Sequence, residues 1–334
     1  MSKKNLARIS KKVGMGLLGL AAILITAGML YQYISTKVNE KKYPPVGKMV
    51  NIGGYSLNLH CTGVLGPTVV FDSGLGNNSL VWSLVQPEIA KSNRTCSYDR
   101  AGYTWSQNSP LERTCQNIVE ELRTLLKNAQ IPGPYILVGH SLGGLHMLLY
   151  AHMYPEEVAA LVLVDSAHED LLKKITFLPK LHPITTNFLS HIGLLRLSAH
   201  ISHHKVLNKL PKQIQEMWIA TLYTDQSIKT MIQEKSLFDI SAKQIKEAKI
   251  DLKDMPLTVI TAGKKMTPKE TGLSKKQCAL FMNTWEAFQK DLVSRSKNSK
   301  QLLAENIGHH IPLEQPSIIV EAIQEILSNL ATPP

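Results

Sequence analysis

Runs of consecutive apolar residues alternate along this chain with amphipathic stretches of helical spacing. A continuous apolar run is typical of a strand that is buried on both faces, as in a parallel sheet covered by helices. Such runs occur at residues 68–72, 95–98, 135–138, 161–164, 257–261 and 301–304. Before them, residues 48–52 and 55–61 flank Gly53-Gly54 and predict a hairpin. The pattern predicts an α/β fold with a mainly parallel central sheet flanked by helices.

Helical spacing occupies the stretches between these runs. The predicted helices are 80–91, 114–129, 277–296 and 316–330. Between the runs at 161–164 and 257–261, residues 169–250 are helical in character, rich in Lys and His, and free of any buried-strand pattern. An insertion at this point follows the carboxyl end of a strand, the edge where α/β sheets bind ligands. We therefore expect a helical lid over about residues 169–250.

The N-terminal segment has the pattern of a membrane anchor. Residues 13–34 contain no charged side chain, and as a helix they would be about 33 Å long, enough to cross a bilayer core. Residues 1–12 carry five basic side chains and no acid, which predicts a cytoplasmic N-terminus and an extracytoplasmic remainder. Residues 35–47 are expected to be a polar linker and residues 48–334 the globular domain. The alternative is a signal peptide that is cleaved to release a secreted protein.

Composition narrows the classes of partner and of site. The 334 residues are 44% hydrophobic and carry a formal net charge of +11. Without a nucleic-acid-binding motif, this charge favours a basic surface beside anionic lipid or cell-wall polymer rather than a nucleic-acid partner. The four cysteines, Cys61, Cys96, Cys115 and Cys278, permit three full pairings; buried free thiols are slightly favoured over a disulfide. No spacing indicates a metal site, and no cofactor is expected.

The most informative motif is Gly139-His140-Ser141-Leu142-Gly143. An apolar strand precedes it and an apolar helical stretch follows it, which is the context of a nucleophile elbow. In such a turn the serine backbone is strained, and its neighbours lie too close together for side chains. The motif predicts that Ser141 is a nucleophile and that the Leu142 amide faces a developing oxyanion.

A nucleophilic serine needs a base and an acid that orients the base. His309 follows the last predicted strand and is the expected base, with the adjacent His310 as the alternative. Asp165 ends the strand after the elbow helix and is the expected acid. Glu270, in the loop after the penultimate strand, is the alternative acid. The second oxyanion donor is expected to be the Leu75 amide, in the loop after the third strand.

Several of these stretches together resemble a known superfamily. They are 98–103 with Trp105-Ser106, 133–144, 161–165 and Gly308-His309. Over about residues 48–330 the chain resembles the carboxylesterase-like, lid-bearing branch of the α/β-hydrolase-fold proteins. Many members place the acid after the penultimate strand, where this chain has no Asp. Haloalkane dehalogenases place it after the strand that ends at Asp165, but they attack with Asp rather than Ser.

The resemblance implies a serine hydrolase that cleaves carboxylic esters without a cofactor. The implied partners are a small-molecule or lipid-like ester substrate and the membrane, and no nucleic acid. Within this class, lipid acyl hydrolysis, acyl transfer and iminopeptidase activity remain open. From another class, the chain could be a non-catalytic ligand-binding receptor on the same fold.

Overall fold

The computed structural model describes residues 3–177, 182–202 and 207–331. Residues 1–2 of the predicted N-terminal segment, 178–181 and 203–206 of the predicted lid, and 332–334 of the predicted globular domain lie outside the described residues. The strands are β1 (Lys48–Asn51), β2 (Ser56–Thr62), β3 (Thr68–Asp72), β4 (Thr95–Tyr98), β5 (Tyr135–His140), β6 (Val158–Val164), β7 (Leu257–Ala262) and β8 (Ser299–Ala304). Each falls within a few residues of a predicted run.

These strands form one sheet in the order β1-β2-β4-β3-β5-β6-β7-β8. β1 and β2 form the N-terminal hairpin, and β2 also pairs antiparallel with β4. All pairs among the strands β3 to β8 are parallel. Because parallel strands end at the same edge, the carboxyl ends of β5, β6 and β8 bring the segments that follow them together. The predicted α/β architecture with a mainly parallel sheet is confirmed.

Some helices cover the two faces of the sheet, whereas others form the N-terminal segment and the stretch between β6 and β7. They are α1 (Lys3–Lys42), α2 (Gln86–Ala90), α3 (Cys115–Asn128), α4 (Leu142–Met153), α5 (Leu171–Lys174), α6 (Pro183–His191), α7 (Leu194–Ser202), α8 (Lys212–Leu222), α9 (Asp225–Ser236), α10 (Phe238–Ala248), α11 (Pro268–Thr271), α12 (Lys275–Val293), α13 (Ile311–Glu314) and α14 (Pro316–Ala331). The single helix predicted over 80–91 is wrong. A 3₁₀ turn, Ser79–Trp82, precedes the separate α2, because Pro87 is tolerated only in the first turn of a helix.

The core has one layer on each face of the sheet. Val70 and Leu137 belong to one buried cluster, whereas Val69 and Ile136, their neighbours along the same strands, belong to the other. This alternation follows from the period of two residues in a strand. Both layers are apolar, which explains why the central strands are continuous apolar runs rather than alternating ones.

The segment between β6 and β7 forms the lid. Its described part contains the helices α5 to α10 and no strand, as the sequence predicts. Two polar or charged side chains of the lid, Arg196 and Glu234, are almost completely buried against other parts of the chain. The lid is therefore tied to the rest of the molecule by specific polar contacts.

Helix α1 is longer than the predicted membrane segment and contains most of the predicted linker. It continues to Lys42, so only residues 43–47 connect it to β1. The prediction of a linker over 35–47 is wrong because polar residues beyond position 34 continue the helix and pack on the lid; Thr36, for example, accepts a hydrogen bond from Arg196. Within the described residues, α1 provides a helix that is long and apolar enough to cross a membrane.

The cysteines do not all remain free thiols, contrary to the slight preference from the sequence. Cys61 and Cys96 form a disulfide between β2 and β4, whereas Cys115 and Cys278 are free and buried. The two bonded residues are directly opposite each other in the antiparallel β2–β4 pair. The one-dimensional sequence does not show this register, so it could not identify the pair.

Candidate active site

Ser141 lies in a strained turn between β5 and α4. Its backbone has φ 54° and ψ −119°, a conformation that is rare for a residue with a side chain and persists at functional sites. The flanking glycines allow the turn: a Cβ at Gly139 would lie 2.5 Å from the Gly143 carbonyl oxygen, and one at Gly143 would lie 2.6 Å from that of Asp72. The predicted elbow geometry is present in the structure.

A chain of hydrogen bonds joins Ser141, His309 and Asp165. Ser141 Oγ donates to His309 Nε2 over 2.9 Å, and His309 Nδ1 donates to Asp165 Oδ2 over 2.6 Å. A carboxylate can only accept, so the bond to Asp165 fixes the tautomer whose Nε2 is free to accept the serine proton. The three residues come from the ends of β5, β6 and β8, and the parallel sheet brings these ends together.

The alternative acid, Glu270, and the alternative base, His310, occupy other positions near the site. The Glu270 carboxylate is exposed and accepts hydrogen bonds from Lys264 and Thr267. His310 is adjacent to His309, with its ring 5.8 Å from that of His309, but His309 contacts the serine. The structure therefore brings the expected base, His309, and the expected acid, Asp165, together with Ser141 rather than the alternatives.

Asp165 is buried and held by two further donors. Its Oδ1 accepts the indole N–H of Trp285 over 2.8 Å and the backbone N–H of Ala262 over 3.0 Å. The Trp285 ring also meets the His309 ring edge-on, with centroids 5.8 Å apart. These contacts fix the carboxylate so that its other oxygen faces His309.

His140, directly before Ser141, supports the loop that carries the histidine. Its Nε2–H donates to the backbone carbonyl of His309 over 2.8 Å. Burial lowers the pKa of His140 well below its usual value, and the neighbouring His309 lowers it further, so the ring is neutral near pH 7. Its Nδ1 has no partner in the described part of the chain. A neutral buried imidazole thus positions His309 without adding a charge beside it.

The backbone amides of Leu75 and Leu142 lie close to Ser141. Leu142 begins α4, and the first amides of a helix have no intrahelical acceptor. Leu75 lies in the loop after β3, where a Cβ added at the preceding Gly74 would come 3.0 Å from Ser141 Cβ. Within the described residues, neither amide donates to a protein acceptor. Amides in this position can stabilise the negative charge that develops on a carbonyl oxygen when the serine attacks the carbonyl carbon.

A buried ionic network holds the loop that contains Leu75. Arg100 donates to the carbonyl oxygens of Ser73 and Gly74 over 2.6 and 3.0 Å. The same guanidinium pairs with Asp72 and, through two hydrogen bonds, with Glu234 of the lid helix α9. Planar guanidinium groups suit such a multidentate role. The lid and the loop beside Ser141 are therefore connected through one arginine.

We expect Asp72→Asn to destabilise the protein in a pH-dependent way. Burial raises the pKa of Asp72, but the charges and hydrogen bonds of Arg100 and His146 outweigh it and lower the pKa to about 2. A pKa below the unfolded value stabilises the fold above pH 4, by roughly 2 kcal/mol, and this contribution is lost as the pH falls towards 2.

Thermal unfolding of the detergent-solubilised full chain between pH 3 and 7 would measure this. Asp72→Asn should melt below wild type at pH 7, and the gap should narrow below pH 4. The exposed Asp254→Asn is the control and should not change the profile. A gap that does not depend on pH would contradict the assignment of a stabilising charge to Asp72.

Sequence reasoning missed Trp285, Glu234 and His140. Trp285 and Glu234 are distant in sequence from Asp165 and Arg100, and nothing in their local pattern marks them. His140 belongs to the elbow motif, where its position before Ser141 could have indicated a supporting role. In the described part of the chain, no group of three or more His, Cys, Asp or Glu side chains is arranged to hold a metal ion.

Comparison with known proteins identifies the family. The model of the family described as alpha/beta hydrolase fold matches residues 67–309. The chain is 26% identical over 267 residues to the uncharacterized protein YqjL of Bacillus subtilis, covering 80% of this chain and 86% of YqjL. It is 32% identical over 126 residues to 2-hydroxymuconate semialdehyde hydrolase of Pseudomonas sp. CF600, covering 37% of this chain and 44% of that enzyme.

A solved structure agrees in fold. The enol-lactonase from Burkholderia xenovorans LB400 superposes with a TM-score of 0.59 at 14% identity, over 84% of this chain and 98% of that one. The family match and the hydrolase among the relatives support the conclusion that this chain is a hydrolase. Because the family match extends over more than half of the sequence, the chain belongs to the α/β-hydrolase fold family.

Proposed function

We propose that the protein is a serine hydrolase that cleaves carboxylic esters through an acyl-enzyme on Ser141. The observation that carries this proposal is the continuous hydrogen-bonded chain from Ser141 Oγ through His309 to Asp165. This constellation is recognised by its geometry and by the roles of its members rather than by their sequence positions. Ser141 would be the nucleophile, His309 the general base and Asp165 the orienting acid.

In the first half of the reaction, Ser141 Oγ attacks the ester carbonyl carbon while His309 Nε2 takes the hydroxyl proton. The carbonyl oxygen becomes an oxyanion, which the Leu75 and Leu142 amides stabilise. Asp165 stabilises the imidazolium that forms and keeps its orientation. When the tetrahedral intermediate collapses, His309 gives its proton to the leaving alkoxide, and the alcohol departs from the acyl-enzyme.

In the second half, water takes the place of the alcohol. His309 removes a proton from the water as it attacks the acyl carbonyl, and the same amides stabilise the second oxyanion. Collapse breaks the bond to Ser141, whose Oγ recovers the proton from His309, and the acid is released. The strained backbone of Ser141 keeps the hydroxyl in position through both halves.

A chain-length series of p-nitrophenyl esters tests this function with the purified full chain. We expect burst-phase release of p-nitrophenol, because p-nitrophenolate is a good leaving group, so that acylation is fast and the separate deacylation step limits turnover. The rates across the series would separate a small-ester hydrolase from a lipid acyl hydrolase. Absence of turnover on every ester by a folded protein would contradict the proposal and favour a binding role.

We expect Trp285→Phe to lower kcat about tenfold, with little change in KM, because it removes one charge-assisted hydrogen bond from Asp165. The phenyl ring retains most of the packing beside His309, so the loss reflects the indole N–H. Steady-state kinetics of the variant would measure both constants. The control is Trp218→Phe, a buried lid residue for which the structure gives no contact with Asp165. An unchanged kcat would show that the Ala262 amide alone holds the carboxylate.

The N-terminal helix is proposed to anchor this hydrolase in a membrane. Its apolar part, 13–34, is preceded by a segment whose charged side chains are all basic, which favours a cytoplasmic N-terminus and an extracytoplasmic hydrolase domain. Protease protection of a tag at each terminus in sealed vesicles would test the orientation. A lipid-like ester is the second candidate substrate, and the apolar side chains exposed on the lid favour it.

A further inference from the structure

Two lid helices expose a set of large apolar side chains. Helices α6 and α7 form a hairpin with a turn at Ile192 and Gly193. Five of its apolar residues are 44% to 75% exposed: Ile184, Phe188, Leu194, Leu197 and Ile201. On α7 the exposed positions are spaced by three and four residues, so they form one stripe. An exposed apolar surface of this kind marks an interaction site rather than an ordinary protein surface.

The turn of this hairpin contacts α1 at a defined level. A Cβ at Gly28 would lie 2.5 Å from the Ile192 carbonyl oxygen, and a Cβ at Gly193 would lie 2.6 Å from the Tyr31 ring. Backbone therefore packs directly against α1 at residues 28–31. Phe188 lies about one turn before this contact, Leu194 follows it directly, and Leu197 lies about one turn after it.

Buried polar contacts also join the hairpin to α1 at residues 32 and 36, beyond the contact at residues 28–31. The Arg196 guanidinium donates to the Gln32 side chain over 2.9 Å and to Thr36 Oγ1 over 3.0 Å. Gln32 in turn donates to the Tyr223 carbonyl oxygen. Arg196 and Gln32 are 1% and 3% exposed. Such satisfied buried networks fix one arrangement, so the position of α1 determines the position of the hairpin.

The length of α1 then sets the depth of the hairpin. Residues 13–27, before the contact at Gly28, would cover only about 22 Å as a helix, whereas the hydrocarbon core is about 30 Å thick. The charged Lys11 and Lys12 mark the other end of the apolar segment. To span the core, α1 must also place residues 28–32 in the membrane, which is the level of the hairpin turn.

We propose that the α6–α7 hairpin is a membrane-contacting surface, with its exposed apolar side chains inserted into the lipid of the outer leaflet. This inference rests on the membrane-spanning role proposed for α1. The occupant of the apolar stripe is the lipid bilayer, since the hairpin turn packs on α1 at Gly28 and Tyr31, the level at which α1 itself exposes Met29 and Leu30. The insertion would hold the lid of the hydrolase at the membrane, where lipid-like esters are located.

Lipid-quenching fluorescence on the full chain in nanodiscs tests the proposal. Single cysteines at Phe188→Cys and Leu197→Cys would carry the polarity-sensitive fluorophore NBD, in discs of phosphatidylcholine with or without doxyl-labelled lipid. Leu20→Cys, within the apolar part of α1, reports spanning. Leu65→Cys is the matched control, because Leu65 is an exposed apolar residue away from the lid. The wild-type chain is the labelling blank, since its free cysteines are buried.

We expect NBD at positions 20, 188 and 197 to emit at shorter wavelength and to lose about half of its intensity to doxyl lipid, while NBD at 65 stays unquenched. Quenching at 20 without quenching at 188 and 197 would overturn the lid proposal and leave the anchor intact. Blue-shifted emission at 188 that doxyl lipid does not quench would assign the surface to a second copy of the chain. No quenching at position 20 would overturn both the lid proposal and the proposal that α1 spans the membrane. None of these readouts depends on ester hydrolysis, so failure of the serine-hydrolase proposal would be seen separately.

Discussion

Replacing His309 with alanine is expected to lower kcat/KM for ester hydrolysis by a factor of about 10⁴ or more. The imidazole accepts the Ser141 proton through Nε2 and is held by Asp165 through Nδ1. Without it, the serine hydroxyl has no base within hydrogen-bond distance among the described residues. Steady-state and pre-steady-state kinetics on a p-nitrophenyl ester would measure the loss, which should appear in both acylation and deacylation because His309 is the base in each.

The neighbouring histidine provides the matched control. His310→Ala changes the same loop but removes a ring that lies 5.8 Å from His309 rather than in contact with Ser141 Oγ. We expect it to retain activity within about tenfold of wild type. If His310→Ala were the inactive variant and His309→Ala the active one, the assignment of the base would be wrong.

Replacing Asp165 with asparagine is expected to lower kcat by about 10³ to 10⁴ with little change in KM. The asparagine amide can donate to His309 Nδ1, which favours the tautomer with its proton on Nε2. That tautomer cannot accept the Ser141 proton. The side chain keeps nearly the same shape and retains an oxygen for Trp285 and Ala262, so the loss would come from the tautomer rather than from unfolding. Thermal unfolding of the variant would check this point.

Glu270→Gln is the control for the acid. Its carboxylate is exposed and pairs with Lys264 over 2.8 Å, and exposed pairs contribute little to stability. We expect Glu270→Gln to have wild-type kcat. A large loss in Glu270→Gln together with an active Asp165→Asn would reverse the assignment that the geometry supports.

The sequence predicted most of the fold because the apolar runs of a doubly covered sheet are unambiguous. Each central strand is buried on both faces, so its run is continuous and its position follows directly. The helix at 80–91 failed because helical spacing alone does not show where Pro87 forces a new start. The linker at 35–47 failed for a different reason: polarity there reflects packing of a continuous helix against the lid, as with Thr36, which accepts a hydrogen bond from Arg196, rather than a loop.

The site was predictable where the fold places residues at strand ends and unpredictable where tertiary packing supplies them. Ser141, Asp165 and His309 each follow a recognisable strand, so the shared edge of the sheet implied their proximity. Trp285 reaches Asp165 from α12, and Glu234 reaches Arg100 from the lid. No local pattern encodes either contact, because long-range packing decides which side chains a helix presents to the site. The Cys61–Cys96 disulfide depends in the same way on register between two strands.

The most direct test of the serine-hydrolase account is covalent labelling of the purified full chain with a fluorophosphonate probe, beside Ser141→Ala. The account predicts rapid labelling of wild type on a peptide that contains Ser141, loss of labelling in Ser141→Ala, and slow labelling in His309→Ala, because only an activated serine reacts quickly. A folded wild-type protein that is not labelled, or one labelled equally in Ser141→Ala, would contradict it.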